Sequence, residues 1–122
     1  MWDYRAKVHD VTDGDTLVLL IDQGLYSRQQ ESIRLLNVSA PEHNQLGGME
    51  TKKFVTDWLL FRNTNFEWPL KVVTVKNTSI EPIEKRTFTR YLGTIYDIVT
   101  GRCLNDDINE FLISHPEWGS GM

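Results

Sequence analysis

The sequence VTDGDTLVLLI, residues 11–21, joins a turn signal to a run of β-forming apolar residues. The pair Asp13-Gly14 is typical of a β-hairpin turn. The following run, Thr16–Ile21, has the composition of a strand that is buried on both faces or closed into a barrel. On the other side of the turn, the loose alternation over Tyr4–Val11 predicts the partner strand. This stretch therefore predicts the first hairpin of a β-sheet.

Outward from this hairpin, the pattern predicts three further strands and two helices. A third strand is predicted over Ile33–Val38, ended by Pro41, and the polar segment Ser27–Ser32 before it is either a loop or an extension of that strand. The later elements are a helix over Met49–Arg62, strands over Leu70–Lys76 and Tyr91–Val99, and a short amphipathic helix that starts at Leu104 and stops near His115. The order βββαββα predicts a mainly β, α+β protein with the five-stranded barrel of an OB-fold.

The composition is that of an ordinary globular chain, with 40% hydrophobic and 25% charged residues. The length of 122 residues suits one domain, and no repeat or linker divides it, so we expect a single domain over residues 1–122. The one cysteine, Cys103, excludes an internal disulfide bond. Because the N-terminus lacks a signal-like apolar run and no stretch approaches the roughly 18 apolar residues of a membrane span, we expect a cytoplasmic monomer with no membrane partner.

The charge is unevenly distributed along the chain. A formal net charge of −4 argues against a protein that coats nucleic acid non-specifically. Between Lys71 and Arg90, however, basic residues outnumber the acidic Glu81 and Glu84. This surplus is either a solvated loop rim or a surface for a phosphate-bearing partner, to which we assign Lys76, Lys85, Arg86 and the aromatic Phe88 as nucleic-acid-binding residues.

Four acidic and basic features fall at the ends of predicted strands, where a barrel can bring them together. They are the segment Asp13-Gly-Asp-Thr16, Arg34, the pair Pro41-Glu42, and Arg90. Cleavage of a phosphodiester needs a metal cation or guanidinium groups to neutralise charge on the phosphate oxygens, and a base that prepares the attacking water. This set supplies both kinds of group and so predicts phosphate chemistry.

Four segments carry these residues and their neighbours: Val11-Thr-Asp-Gly-Asp-Thr-Leu17, Ile33-Arg-Leu-Leu-Asn-Val-Ser-Ala-Pro-Glu42, Arg90-Tyr-Leu-Gly-Thr-Ile-Tyr96 and Gly101-Arg-Cys-Leu-Asn105. In order, they resemble the V-x-D-G-D-T, R-L-x-x-(V/I)-D-x-P-E, (Y)-G-R-x-L-(A/G)-x-(I/V) and G-x-x-(V/L)-N motifs of the thermonuclease, or staphylococcal nuclease-like, family. The matches keep compatible gaps from about Lys7 to Leu112, which is most of the chain.

The resemblance implies an OB-fold and a calcium-dependent nuclease that hydrolyses phosphodiester bonds of DNA or RNA. In that family pattern, Asp15 would bind the calcium ion, Arg34 and Arg90 would clamp the phosphate, and Glu42 would orient or deprotonate the attacking water. These roles suit the chemistry of the groups. Calcium prefers oxygen ligands, and a guanidinium group matches a phosphate with two parallel hydrogen bonds.

The sequence departs from the family pattern at several positions. Ser39 stands where the family has a second metal-binding aspartate, which should weaken calcium binding because affinity follows the charge of the ligands. The Ser39 hydroxyl, the backbone carbonyl of Ala40, water, or Asp13 from outside the coordination sphere would have to compensate. Phe88-Thr89 replaces a tyrosine-glycine pair, and Phe88 can still stack on a base. We also expect the protein to lack the third helix of the best-known members.

Each residue has a simpler interpretation that does not involve catalysis. Asp13 and Asp15 can cap a hairpin through bonds to the backbone. Arg34, flanked by apolar residues, must pair with a carboxylate or face a wet cleft, and an ion pair with Glu42 is the structural alternative. Arg90 by itself can be an ordinary surface residue. The three histidines, His9, His43 and His115, show no metal-ligand spacing.

Three functional hypotheses therefore remain open at the level of sequence. The first is an active calcium-dependent nuclease. The second is a catalytically degenerate barrel that binds nucleic acid or protein without cleavage, and Ser39 motivates it. The third is a structural subunit whose acidic and basic side chains pair with one another.

Overall fold

The computed structural model describes residues 2–25, 27–42, 44–61, 68–76 and 91–118. The elements in chain order are β1 (Trp2–Asp13), β2 (Thr16–Gly24), β3 (Ser27–Leu35), α1 (Gly48–Phe61), β4 (Leu70–Lys76), β5 (Tyr91–Asp97) and α2 (Leu104–Ile113), followed by a single 3₁₀ turn over Pro116–Trp118. The order of strands and helices is the predicted βββαββα.

The five strands form a closed barrel in the order β1-β2-β3-β5-β4. β3 and β5 run parallel, with Ile33 opposite Tyr91, and the other neighbouring pairs are antiparallel. β4 closes the barrel on β1, from Thr74 opposite Trp2 to Leu70 opposite Ala6. The predicted mainly β, α+β barrel of the OB-fold type is confirmed.

The third strand differs from its prediction in both boundaries. β3 starts at Ser27, so the polar segment Ser27–Ser32 is strand rather than loop. It pairs with β2 from Thr16 opposite Arg34 back to Asp22 opposite Arg28, and its first four residues are exposed, which explains their polar character. The strand ends at Leu35 because Asn37 adopts a left-handed backbone with φ of 61°, which directs the chain out of the sheet.

The apolar core lies inside the barrel and beneath the two helices. Alternate residues of each strand point inward, as the period of a β-strand requires. The most deeply buried large side chains come from every strand after β1 and from α2: Leu17, Leu19, Ile33, Leu35, Leu70, Ile95, Leu104 and Ile108. Val55 and Leu59 of α1 are also buried in this cluster, so the helix between β3 and β4 packs on the core as its amphipathic pattern predicts.

Helix α2 is held to α1 by a polar contact. The indole N–H of Trp58 donates a hydrogen bond to Oδ2 of Asp107 at 2.8 Å. Arg102 binds the same carboxylate in a bidentate manner, at 3.1 Å through Nε and 3.0 Å through Nη2. The hydrogen bonds from Arg102 to Asp107 raise the pKa of Arg102 above its ordinary value, so the guanidinium group stays charged.

Phe54 and Phe111 form a half-buried stack between the two helices rather than part of the deep core. Their ring centroids are 4.4 Å apart and the rings are nearly parallel. Within the described ranges, no helix has the length and apolar character to cross a lipid bilayer.

Candidate functional site

The turn between β1 and β2 places Asp15 beside the end of β3. Thr16 lies opposite Arg34 in the β2–β3 register, and the backbone N–H of Leu35 donates to the carbonyl oxygen of Asp15 at 2.8 Å. The Thr16 hydroxyl donates to Oδ1 of Asp15 at 3.2 Å, and Nη2 of Arg34 lies 4.0 Å from Oδ2. We call Asp15, Thr16 and Arg34 the Asp15 site.

The contact between Arg34 and Asp15 is an ion pair without a hydrogen bond. A separation of 4.0 Å exceeds the 2.7–3.2 Å typical of an N–H···O bond. The Arg34 side chain is 46% exposed and that of Asp15 is 17% exposed. Because water screens the two charges, the attraction between them is worth about 1 kcal/mol or less. Among the described residues, Arg34 donates no hydrogen bond, and its guanidinium group therefore keeps its donors for an anion from solution.

The predicted alternative, an ion pair between Arg34 and Glu42, does not occur. Arg34 lies beside Asp15 instead, because the strand register sets its neighbour. Glu42 is exposed, and its backbone is fixed locally: its N–H donates to Oε1 of Gln45 at 3.0 Å, and the Gln45 N–H donates to the Glu42 carbonyl oxygen at 2.9 Å. The Glu42 carboxylate forms no ion pair with any described residue and projects into solvent.

Gly14 brings the same turn against the segment that contains Ala40. A Cβ atom at Gly14 would lie 2.5 Å from Cγ2 of Thr51 and 2.9 Å from Cβ of Ala40, closer than real side chains approach. Only glycine fits at this position, because the turn packs directly on the first turns of α1 and on Ala40. The Thr51 hydroxyl donates to the Gly47 carbonyl oxygen at 2.7 Å, which fixes the start of that helix.

The oxygen atoms near the turn suit calcium in kind but include few charges. Asp15 offers a carboxylate, Ser39 a half-buried hydroxyl and the buried Ala40 a backbone carbonyl, and Asp13 ends β1 next to the turn. Within the part of the chain that the structure describes, no group of three or more His, Cys, Asp or Glu side chains converges as a metal site. By their chemical type, these donors suit a calcium ion that would be held mainly by one carboxylate, neutral oxygens and water.

Several predicted site residues lie outside the described residues, namely Lys85, Arg86, Phe88 and Arg90. His43, to which no role is assigned, lies outside them as well. Lys76 is the last residue of β4, and its side chain is likewise outside the description. β5 begins at Tyr91, the residue after Arg90, and Tyr91 is paired with Ile33 next to Arg34. The start of β5 therefore borders the Asp15 site.

Cys103, the one thiol of the chain, is half-buried just before α2. Burial raises the pKa of this thiol above its ordinary value. The protonated form therefore dominates at neutral pH, and a protonated thiol is a poor nucleophile.

The sequence patterns did not reveal the roles of Thr16, Gly14 and Thr51. Thr16 was visible within the D-G-D-T motif, but its bond to Asp15 is a property of the folded turn. The need for glycine at position 14 depends on Thr51, which is 37 residues further along the chain and becomes a neighbour only when α1 packs on the barrel.

Neither a comparison of the chain with protein-family models nor a comparison with curated proteins gives a match.

Proposed function

We propose that the protein is a calcium-dependent nuclease that hydrolyses phosphodiester bonds in DNA or RNA at the Asp15 site. The observation that carries the proposal is the pairing of Asp15 with an arginine that is half exposed and 4.0 Å away. An anion-binding guanidinium group and a cation-binding carboxylate thus lie side by side on one rim of the barrel. Hydrolysis of a phosphodiester needs both functions close together.

In this proposal, Asp15, the Ser39 hydroxyl and the Ala40 carbonyl hold the calcium ion. When bound, such an ion polarises a phosphoryl oxygen and makes a nearby water easier to ionise. Arg34 donates two hydrogen bonds to the equatorial oxygens of the phosphate, and Arg90 is proposed to do the same from the entrance to β5. Both groups bind more strongly as negative charge grows on the phosphate.

Glu42 is proposed as the residue that accepts a proton from the attacking water. The water oxygen forms a bond to phosphorus, the bond to the leaving sugar oxygen breaks, and that oxygen takes a proton from solvent. The proposal draws support from the exposure of Glu42 and from its backbone bonds with Gln45, which hold the loop while leaving the carboxylate without an ion-pair partner among the described residues. General base catalysis of this kind contributes about 10²–10⁴-fold.

A cleavage assay tests the proposal directly. Labelled single-stranded DNA and RNA are incubated with the protein in calcium or in chelator, and the products are separated on a gel. We expect cleavage in the presence of calcium and no cleavage in chelator. We expect Glu42→Gln to lower the cleavage rate by about 10²–10⁴-fold. Glu110→Gln is the matched control, because Glu110 is an exposed glutamate on α2 and should leave the rate unchanged. No cleavage above background in calcium, together with identical behaviour of Glu42→Gln, would show the proposal to be wrong.

Ser39 favours a second candidate function, a barrel that binds nucleic acid without cleaving it. The described residues near the turn offer calcium a neutral hydroxyl where a second carboxylate would strengthen binding. Arg34 would still bind a phosphate in that case. Oligonucleotide binding in chelator that weakens steeply with salt, combined with no turnover in calcium, would favour this function over the nuclease.

A further inference from the structure

A basic and aromatic surface lies on the outside of the barrel, at the end opposite the Asp15 site. Nζ of Lys7 lies 5.3 Å from the ring centroid of Trp68, and Cζ of Arg28 lies 5.8 Å from the same centroid. Nζ of Lys71 lies 5.1 Å from the ring centroid of Tyr96. We call these five residues, together with Arg5, the basic–aromatic face.

The strand register joins the members of this face into one continuous surface. Arg5 of β1 lies opposite Lys71 of β4, and Lys71 lies opposite Tyr96 of β5. This row crosses three strands and so spans about 10 Å. Lys7 is two residues beyond Arg5 and points to the same side of β1, while the intervening Ala6 is fully buried.

Three cations of this face have few acidic neighbours among the described residues. No described carboxylate forms an ion pair with Arg5, Lys7 or Lys71, although β1 also carries the exposed Asp3 and Asp10. The other exposed carboxylates of the described residues lie on and around the helices: Glu42, Glu50, Asp57, Asp106, Glu110 and Glu117. The described residues therefore place a local excess of positive charge on this face of a chain whose net charge is −4.

The basic–aromatic face is separate from the Asp15 site. Arg28 lies near the start of β3 and Arg34 near its end, and a separation of six positions corresponds to about 20 Å along the strand. On β5, Tyr96 lies near the end of the strand, whereas the start of the strand borders the Asp15 site. A ligand on this face therefore does not compete for the same atoms.

We propose that the basic–aromatic face binds single-stranded nucleic acid. Arg5, Lys7 and Lys71 would contact successive phosphates, and Trp68 and Tyr96 offer half-buried rings on which unpaired bases can stack. In a double helix the base faces are already stacked, so the two rings would have no partner there. The proposal goes beyond the nuclease and requires neither calcium nor Arg34.

Binding is measured by the fluorescence anisotropy of a labelled 12-nucleotide oligo(dT) with the full chain in chelator, over a series of salt concentrations. The double variant Lys7→Gln/Lys71→Gln is expected to bind about tenfold more weakly and to lower the slope of log affinity against log salt by about 1.4, the value for two lost phosphate contacts. The matched control is Lys52→Gln/Lys53→Gln, which removes two lysines from α1 and should bind like the wild-type protein.

The aromatic component is tested with Trp68→Leu, which should weaken binding about fivefold or more without changing the salt slope. Thermal unfolding establishes that this variant is folded, and the lysine double variant decides the outcome if it is not. Equal affinities for the two lysine double variants would overturn the proposal. So would binding of a 12-base-pair duplex as tight as that of the single strand, or binding to anionic phosphatidylserine vesicles with no binding to the oligonucleotide.

These outcomes are distinct from those that concern the nuclease. Absence of calcium-dependent cleavage contradicts the nuclease proposal and leaves the oligonucleotide binding in chelator as a positive result. Failure of the lysine double variant to weaken that binding contradicts the basic–aromatic face and says nothing against cleavage at the Asp15 site.

Discussion

Arg34 shows how the position of a side chain in a strand sets its exposure and its neighbours. Its neighbours Ile33 and Leu35 point into the core, so the alternation of β3 directs Arg34 outward. The register with β2 then sets it beside Asp15 at 4.0 Å, too far for a hydrogen bond but close enough to orient the guanidinium group. An anion at this site would therefore meet a cation whose donors are available.

We expect Arg34→Lys to lower the rate of calcium-dependent cleavage by about 10²–10³-fold while the protein remains folded. Lysine keeps the charge but loses the planar pair of donors that binds two phosphate oxygens. Initial rates with a saturating oligonucleotide measure the effect, and thermal unfolding shows whether the variant is folded. A cleavage rate within about threefold of the wild-type rate would contradict bidentate phosphate binding by Arg34.

Gly14 is a position where the space available decides the residue. We expect Gly14→Ala to destabilise the protein by about 1–3 kcal/mol, because the added methyl group overlaps Thr51 and Ala40. Urea unfolding measures this change. The double variant Gly14→Ala/Thr51→Ser removes Cγ2 of Thr51, the nearest atom at 2.5 Å, and should recover part of the loss. Simple additivity of the two single changes would contradict this explanation.

At the scale of elements, Asn105 joins α2 to the barrel at the point where β3 ends. Its Nδ2 donates to the carbonyl oxygens of Leu36 at 2.9 Å and Gly93 at 3.0 Å, and its Oδ1 accepts from the Ile95 N–H at 3.1 Å. The side chain is 4% exposed. One buried amide therefore binds backbone groups of two segments, and it shares the Gly93 carbonyl oxygen with the Leu36 N–H, which donates to the same oxygen at 2.9 Å.

We expect Asn105→Ala to destabilise the protein by about 3 kcal/mol, since it leaves buried backbone groups without partners. Asn109→Ala is the matched control on the same helix, because Asn109 makes one exposed bond, to the Asn37 carbonyl oxygen at 3.0 Å. That variant should cost less than about 1 kcal/mol. Equal unfolding free energies for the two variants would show that Asn105 does not support the barrel in this way.

The bounds of the strands and helices show which features of the fold local sequence patterns predict. The bounds Leu70–Lys76 of β4 and the start of α2 at Leu104 agree with the patterns of apolar residues. β1 extends beyond the predicted Tyr4–Val11 at both ends, and β5 ends at Asp97 rather than Val99. The largest departure is at β3, because its first residues are polar and carry no hydrophobic alternation. They are held in the sheet by backbone pairing with β2, which a side-chain pattern does not record.

At the scale of the whole molecule, the closed barrel separates the charges of the chain. The outer faces of β1 and β4 present Arg5, Lys7 and Lys71 beside the exposed Asp3 and Asp10, while the other exposed carboxylates of the described residues lie on and around the helices. In the proposed binding, such a distribution would steer an anionic ligand to one side despite the net charge of −4. The basic–aromatic face, where single strands are proposed to bind, and the Asp15 site, where cleavage is proposed, then lie about 20 Å apart on one barrel. A short oligonucleotide can span this distance.

The sequence by itself determined the elements, their order and the barrel, because alternation, helical spacing and turn residues act over a few neighbouring positions. It also identified Asp15, Arg34 and Glu42 as residues of interest through their motifs. Only the tertiary structure decided that Arg34 faces Asp15 rather than Glu42, that Gly14 packs on Thr51, and that Lys7 and Arg28 meet at Trp68. These are contacts between distant segments. The strand register creates the first, and the packing of α1 and of the residues before β4 on the barrel creates the other two.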